Sequence, residues 1–131
     1  MNNAVAISAG GAYGLALKND GTVTGWGYNN WGQTSPPDGL NGVVAVSAGY
    51  DHSLALKSDG TVVAWGHSAY GGTTIHAGLN DVIAIAAGVS HCLALVGDGP
   101  PALQAAATGF QNAKGQPGVA IPTQSGRVYG L

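Results

Sequence analysis

Histidine recurs at one position of this sequence, at His52 and His91, which lie 39 residues apart. Imidazole is the commonest metal-ligating side chain, so a repeated histidine is compatible with a metal site. Tyr13, a further 39 residues upstream, indicates instead that this position needs a ring with a polar tip. His67 and His76 have no nearby Cys or Glu to complete a site. We therefore predict no bound metal.

Aspartate recurs with the same spacing, at Asp20, Asp59 and Asp98, and each aspartate precedes a glycine. A pair of carboxylates with separated pKa values performs acid–base catalysis. Aspartate followed by glycine is instead a turn signal, because aspartate caps its own backbone and glycine accepts a positive φ. The other aspartates show no pairing either. We predict that these are turn residues and that the chain is not an enzyme.

Cys92 is the single cysteine, so the chain forms no internal disulfide. It stands where Gly14 and Ser53 stand 78 and 39 residues earlier, inside apolar runs, which favours a buried inert thiol over a nucleophile. Glycine-rich phosphate-binding motifs are absent in any useful context, so no cofactor is predicted.

These residues belong to an internal repeat. GLALKNDGTVTGWG at 14–27 returns as SLALKSDGTVVAWG at 53–66 and begins again as CLALVGDG at 92–99. Repeats of this length stack because one unit cannot bury its apolar faces alone. The predicted repeat region is 1–101, with units 5–43, 44–82 and the partial unit 83–99, followed by a C-terminal β tail over 102–131.

Each unit has the pattern strand, turn, strand, turn, strand. The sequence has 23 glycines and only 8% charged residues, which disfavours helices and favours sheet. The Asp-Gly pair predicts a two-residue type I′ hairpin. We expect small antiparallel sheets in which equivalent strands carry the leucine pairs Leu15/Leu17, Leu54/Leu56 and Leu93/Leu95.

Aromatic residues also recur in the connectors between units. Tyr28 and His67 share one repeat position, and Trp31 and Tyr70 share another. Exposed aromatic loop residues often form binding surfaces. Packing between neighbouring units is an equally good interpretation, and both alternatives stay open at this stage.

The run AG-x-x-H-S-L-A-L-x-x-D-G-T-V-x-A-W-G, seen at 48–66, resembles the repeat of the regulator of chromosome condensation family. The resemblance covers residues 4–99, and the 39-residue spacing is similar to that of bacterial members such as the type II β-lactamase inhibitory protein. It implies a β-propeller, usually of seven blades. It also implies a structural repeat signature made of Trp26, Trp65, His52, His91, Asp20, Asp59 and Asp98, with the histidine holding a turn by a hydrogen bond.

Two units and part of a third do not close such a ring, so the predicted fold is an all-β partial propeller, or alternatively an open solenoid-like stack. Either the chain is a piece of a longer protein, or several copies combine. Pro100 and Pro101 replace Thr61 and Val62 and lack the N–H that a sheet ladder needs. We therefore predict that a neighbouring copy completes the third unit, head to tail. ALQAAAT is predicted as a strand.

Function is predicted as a non-enzymatic scaffold that binds another protein or its own copies through loops and blades. A self-assembling ring or filament is the first alternative, and lectin-like carbohydrate binding is the second. Net charge is −2 and the cations are scattered, which excludes a nucleic-acid partner. No apolar run reaches the roughly 20 residues that span a bilayer. No signal peptide is predicted, yet the low charge favours an extracellular or cell-surface setting.

Overall fold

A computed structural model describes residues 3–68, 73–75 and 78–98, together with the backbone of three short strands further on. All regular structure in these residues is β, which confirms the all-β prediction. The strands are β1 (Ala4–Ala9), β2 (Tyr13–Lys18), β3 (Val23–Gly27), β4 (Val43–Ala48), β5 (His52–Lys57), β6 (Val62–Gly66), β7 (Val82–Ala87), β8 (Cys92–Gly97), β9 (Phe110–Gln111), β10 (Pro117–Gly118) and β11 (Gly126–Gly130).

The strands form three antiparallel sheets of three strands each, in the orders β1-β2-β3, β4-β5-β6 and β7-β8-β11, and β9 pairs with β10. The register repeats between sheets: Leu15 lies opposite Gly25 as Leu54 lies opposite Ala64. The leucine pairs lie in the equivalent strands β2, β5 and β8, as predicted. In the part of the chain described, no helix is long and apolar enough to cross a membrane.

The hairpin turns lie where Asp-Gly predicts them, but their geometry differs from the predicted type I′ turn. Gly21 and Gly60 have φ of 81° and 84°, whereas neither aspartate has a positive φ. The amide of Gly21 donates to the carbonyl of Lys18, and the amide of Lys18 donates to the carbonyl of Thr22. This pattern is a longer loop in which glycine alone takes the left-handed conformation. The Asp20 carboxylate accepts from the Thr22 amide and caps the turn.

The sheets pack face to face, with an apolar core at each of two junctions. We call the face of a sheet that meets the next sheet its leading face, and the opposite face its trailing face. Leu15 and Leu17 on the first leading face pack against Val46, Ala55 and Trp65 on the second trailing face. The second junction repeats this arrangement with Leu54, Leu56, Val82, Cys92 and Ala94. Strand periodicity places these residues on alternate faces.

The prediction that a neighbouring copy completes the third sheet is wrong. β11 of the same chain pairs with β8, from Gly126 opposite Gly97 to Gly130 opposite Leu93. The prediction treated the proline pair as the end of the third unit. Residues 126–130 contain no proline, so their backbone is able to pair along the β8 edge. The segment ALQAAAT lies outside the described residues.

Candidate functional site

The recurring ring position links successive sheets. The Tyr13 hydroxyl donates to the backbone carbonyl of His52, and its oxygen lies 3.0 Å from the Ser53 hydroxyl oxygen. The His52 ring makes the equivalent contact to the third sheet, where its Nε2 lies 3.1 Å from Cys92 Sγ. His91, at the equivalent position of the third sheet, is exposed. The resemblance implied a bond that holds a turn, whereas the rings of Tyr13 and His52 bond across a junction.

The turn before each ring has glycine because the ring lies across it. A Cβ on Gly49 would lie 2.4 Å from Cε1 of His52 and 2.6 Å from the carbonyl oxygen of Gly88 in the next sheet. The amide of Gly49 donates to the carbonyl of His52 at 2.8 Å, which closes the turn. Ring, turn and neighbouring turn therefore form one compact junction.

Burial keeps the polar groups of the junctions neutral. Desolvation lowers the pKa of His52 and raises the pKa of Tyr13. It raises the pKa of the Cys92 thiol to about 11, so this thiol is protonated at neutral pH and is a poor nucleophile. No group of three or more His, Cys, Asp or Glu residues with metal-binding geometry occurs among the residues that the structure describes.

Gln33 fixes the first connector, a role that the sequence did not suggest. Its carbonyl oxygen accepts from the Ser53 hydroxyl at 2.8 Å and from Nε1 of Trp65 at 2.9 Å. Its side-chain oxygen accepts from the amide of Trp31 at 2.9 Å. The Gln33 side chain is fully buried. The backbone that carries Trp31 is therefore attached to the second sheet.

Two of the predicted connector aromatics meet at one end of the sheets. The rings of Trp31 and His67 lie 4.1 Å apart between centroids, tilted by 51°. Trp31 still has 50% of its surface exposed, and Tyr28 is also exposed. The amides of Tyr28 and His67 donate to the β1–β2 turn and the β4–β5 turn respectively. Contact between units and exposure to solvent thus occur together. Tyr70 lies outside the described residues.

The same end carries two exposed apolar residues that sequence reasoning missed, Tyr50 and Val89. They occupy one repeat position, filled by Gly11 in the first unit, and the amide of Gly11 donates to the carbonyl of Tyr50 at 3.2 Å. The sequence signal that could have identified them is a large apolar residue in a turn where the first unit has glycine. We call Tyr28, Trp31, Tyr50, His67 and Val89 the end surface.

Comparison with known proteins agrees with this repeated geometry. The sequence model of the family described as the regulator of chromosome condensation (RCC1) repeat matches residues 4–33 and 43–71. These two segments are RCC1 repeats, and together they make up a little under half of the chain. No curated protein sequence matches it significantly.

Solved structures show the RCC1 propeller fold. Yeast RCC1 (Prp20) bound to Kap60 is 21% identical with a TM-score of 0.62, over 97% of this chain and 38% of that one. Human WBSCR16 is 21% identical with a TM-score of 0.65, over 94% and 39%. The ectodomain of the Arabidopsis thaliana receptor kinase ACR4 is 27% identical with a TM-score of 0.56, over 71% and 35%. This chain therefore spans about two fifths of the length of such propellers, and the predicted β-propeller fold is confirmed.

The signature tryptophans of the RCC1 repeats have different surroundings. Trp65 is 7% exposed and packs in the first junction, whereas Trp26 is 49% exposed on the first trailing face. The signature aspartates Asp20 and Asp59 cap their turns through hydrogen bonds to threonine. Asp98 is exposed directly after β8.

Proposed function

We propose that this RCC1-repeat chain is a non-enzymatic scaffold that binds a partner protein through its end surface. The observation that carries the proposal is the Trp31–His67 ring pair, which is held in place yet half exposed at Trp31. Large aromatic residues dominate protein interfaces because each buries much apolar area with few rotatable bonds.

A rigid loop strengthens this proposal, because an ordered loop loses little entropy when a partner binds. Two further hydrogen bonds from the Asn29 side chain order this loop. Its Nδ2 donates to the Ser35 hydroxyl at 3.0 Å, and its Oδ1 accepts from the backbone amide of Thr34 at 2.9 Å. The loop holds Trp31 in one orientation without a partner. A pre-organised aromatic anchor is typical of an interface centre.

The chemistry of the end surface favours a partner with an apolar patch. The end surface consists of four aromatic rings and one valine, with Asp51 next to Tyr50 in the same turn, and the whole chain carries a net charge of only −2. Among the similar structures, yeast Prp20 has been solved with Kap60, and its binding to Gsp1p and histones has been described. Those partners belong to Prp20. They support protein binding as the use of the present fold.

The test is affinity capture from the source cells, followed by reconstitution with the purified partner. We expect Trp31→Ala and Tyr50→Ala to weaken binding at least about tenfold, as hot-spot truncations do. Val5→Ala is the matched control, because Val5 is exposed on β1 and is not part of the end surface. Thermal melting must first show that each variant keeps its fold.

Two results would contradict the proposal. A partner that binds Trp31→Ala as well as it binds the unaltered protein would place the interface elsewhere. Retention of the protein on a glycan array, lost in Trp31→Ala, would replace the protein partner with a carbohydrate ligand.

A further inference from the structure

The trailing face of the first sheet is exposed, although its counterpart in the second sheet is buried. Ile7 occupies the repeat position of Val46, and Trp26 that of Trp65. Ile7 is 71% exposed, whereas Val46 is 1% exposed at the first junction. The face thus has the apolar residues of an RCC1 junction without a sheet against it.

The opposite end of the stack exposes the complementary face. Leu93 is 39% exposed on the leading face of the third sheet, whereas Leu54, its counterpart on the second leading face, is fully buried. His91, the counterpart of His52, is exposed as well. One chain therefore carries both halves of a junction that it already forms twice internally.

We propose that a second copy of this chain docks here, with the leading face of its third sheet on the trailing face of the first sheet. The contact extends the two internal junctions and is independent of the end surface. It is heterologous, because two different faces meet, so further copies add in the same direction. β11 occupies the β8 edge, so the copies do not associate through that edge.

Two polar residues of the internal junctions are replaced, one at each exposed face. Internally, the Ser8 and Ser47 hydroxyls accept from amides of the next sheet at 3.0 and 2.9 Å. Ala86 holds this position in the third sheet. Gly14, on the first trailing face, stands where the second sheet has Ser53. These two positions would therefore bury no hydroxyl, whereas Thr24 on the first trailing face and His91 on the leading face add polar groups to the contact.

Charge does not oppose this contact. The two faces contribute mainly aliphatic and aromatic residues, and the net charge of −2 per copy gives weak mutual repulsion. Because polar contacts are fewer than at the internal junctions, we expect association in the micromolar range and a contact weaker than the internal ones.

Sedimentation velocity over the micromolar range tests the proposal on the whole chain. The mass of the unaltered protein should rise with concentration beyond a dimer. Ile7→Glu and Leu93→Glu should each stay monomeric, because each places a carboxylate in an apolar contact. Val5→Glu is the matched control: Val5 is an exposed apolar residue of the same strand as Ile7, outside the trailing face. It should associate like the unaltered protein. Should Leu93→Glu fail to fold, Leu93→Gln takes its place.

Mixing the variants reveals the direction of the contact. Ile7→Glu keeps an intact leading face and Leu93→Glu keeps an intact trailing face, so an equal mixture should form dimers that grow no further. Trp31→Ala should associate normally, which separates this contact from the end surface. The proposal is overturned if the unaltered protein stays monomeric, if either face variant associates normally, if Val5→Glu is also monomeric, or if the mixture forms no dimer.

Discussion

The first junction and the first trailing face contain nearly the same residues in opposite surroundings. Trp65 is buried against the first sheet and bonds to the carbonyl of Gln33, while Trp26 is half exposed. The two tryptophans lie at one repeat position and face the same way in their sheets. The difference shows that a signature residue in a repeat protein contributes to stability through its contact with the neighbouring unit, because stability is the sum of terms for the units and for the interfaces between them.

Truncation of the two tryptophans gives the largest expected contrast. Trp65→Ala should lower the free energy of unfolding by about 3–5 kcal/mol, as large core truncations do. Trp26→Ala should cost about 1 kcal/mol, because its ring already contacts water. Urea denaturation at equal protein concentration measures both values. Equal losses for the two variants would show that the first junction has no special role for its tryptophan.

The same residues show how much of this contrast the sequence can predict. The period-2 pattern correctly places Leu15 and Leu54 in equivalent strands, because alternation is a local property of a strand. Trp26 and Trp65 lie in nearly identical segments, so no local pattern separates a buried tryptophan from an exposed one. Gln33 was missed for a related reason: its partners, Ser53 and Trp65, lie 20 and 32 residues away.

The tail shows the same limit at longer range. β11 pairs with β8, and about thirty residues separate the two strands, including prolines that argue against local pairing. A β tail was predicted over 102–131 because of its residue types, but the pairing partner of a strand in this tail depends on which edge is free after folding. The predicted completion by another copy therefore failed because the tail of the same chain pairs with β8.

Alanine substitution of two equivalent turn glycines compares a buried junction with an exposed face. Gly49→Ala should destabilise by about 1–3 kcal/mol, the usual cost of overpacking, because the new methyl group meets the backbone oxygen of Gly88. Gly88→Ala is the matched control. The nearest atoms to its methyl group belong to the ring of His91, which is exposed and able to move aside, so the loss should stay below about 0.5 kcal/mol. Thermal melting of both variants distinguishes them, and a larger loss for Gly88→Ala would contradict the assigned contacts.

A pH series tests the buried ring of the second junction. Burial lowers the pKa of His52 from 6.5, so the unfolded chain binds a proton more readily than the folded one. This stability should therefore be present above pH 6.5 and be lost as the pH falls below 6.5, by at most about 1.4 kcal/mol per pH unit for one proton. His52→Tyr, which copies Tyr13, should reduce this dependence. Tyr13→His should increase it. Parallel curves for all three proteins would contradict this role of His52.

The smallest effect is expected at the entry to the third sheet. Asp81 has a φ of 56°, while Gly42, at the same repeat position before the second sheet, has a φ of 65°. Glycine accepts this conformation without the steric cost that a Cβ adds. Asp81→Gly should therefore stabilise by about 0.5 kcal/mol after the entropy cost of glycine. Gly42→Asp should destabilise by a similar amount. Chemical denaturation checks both signs, and Asp81→Asn controls for the lost charge.

The position of the second sheet, between the other two, has a consequence for local motion. Its two faces are both covered, whereas the first and third sheets each expose one face. Local opening of the second sheet requires both junctions to break, while either outer sheet opens at the cost of one. Amide protons in β5 should therefore exchange with deuterium more slowly than those in β2 and β8, and the chain should unravel from its two ends toward its middle.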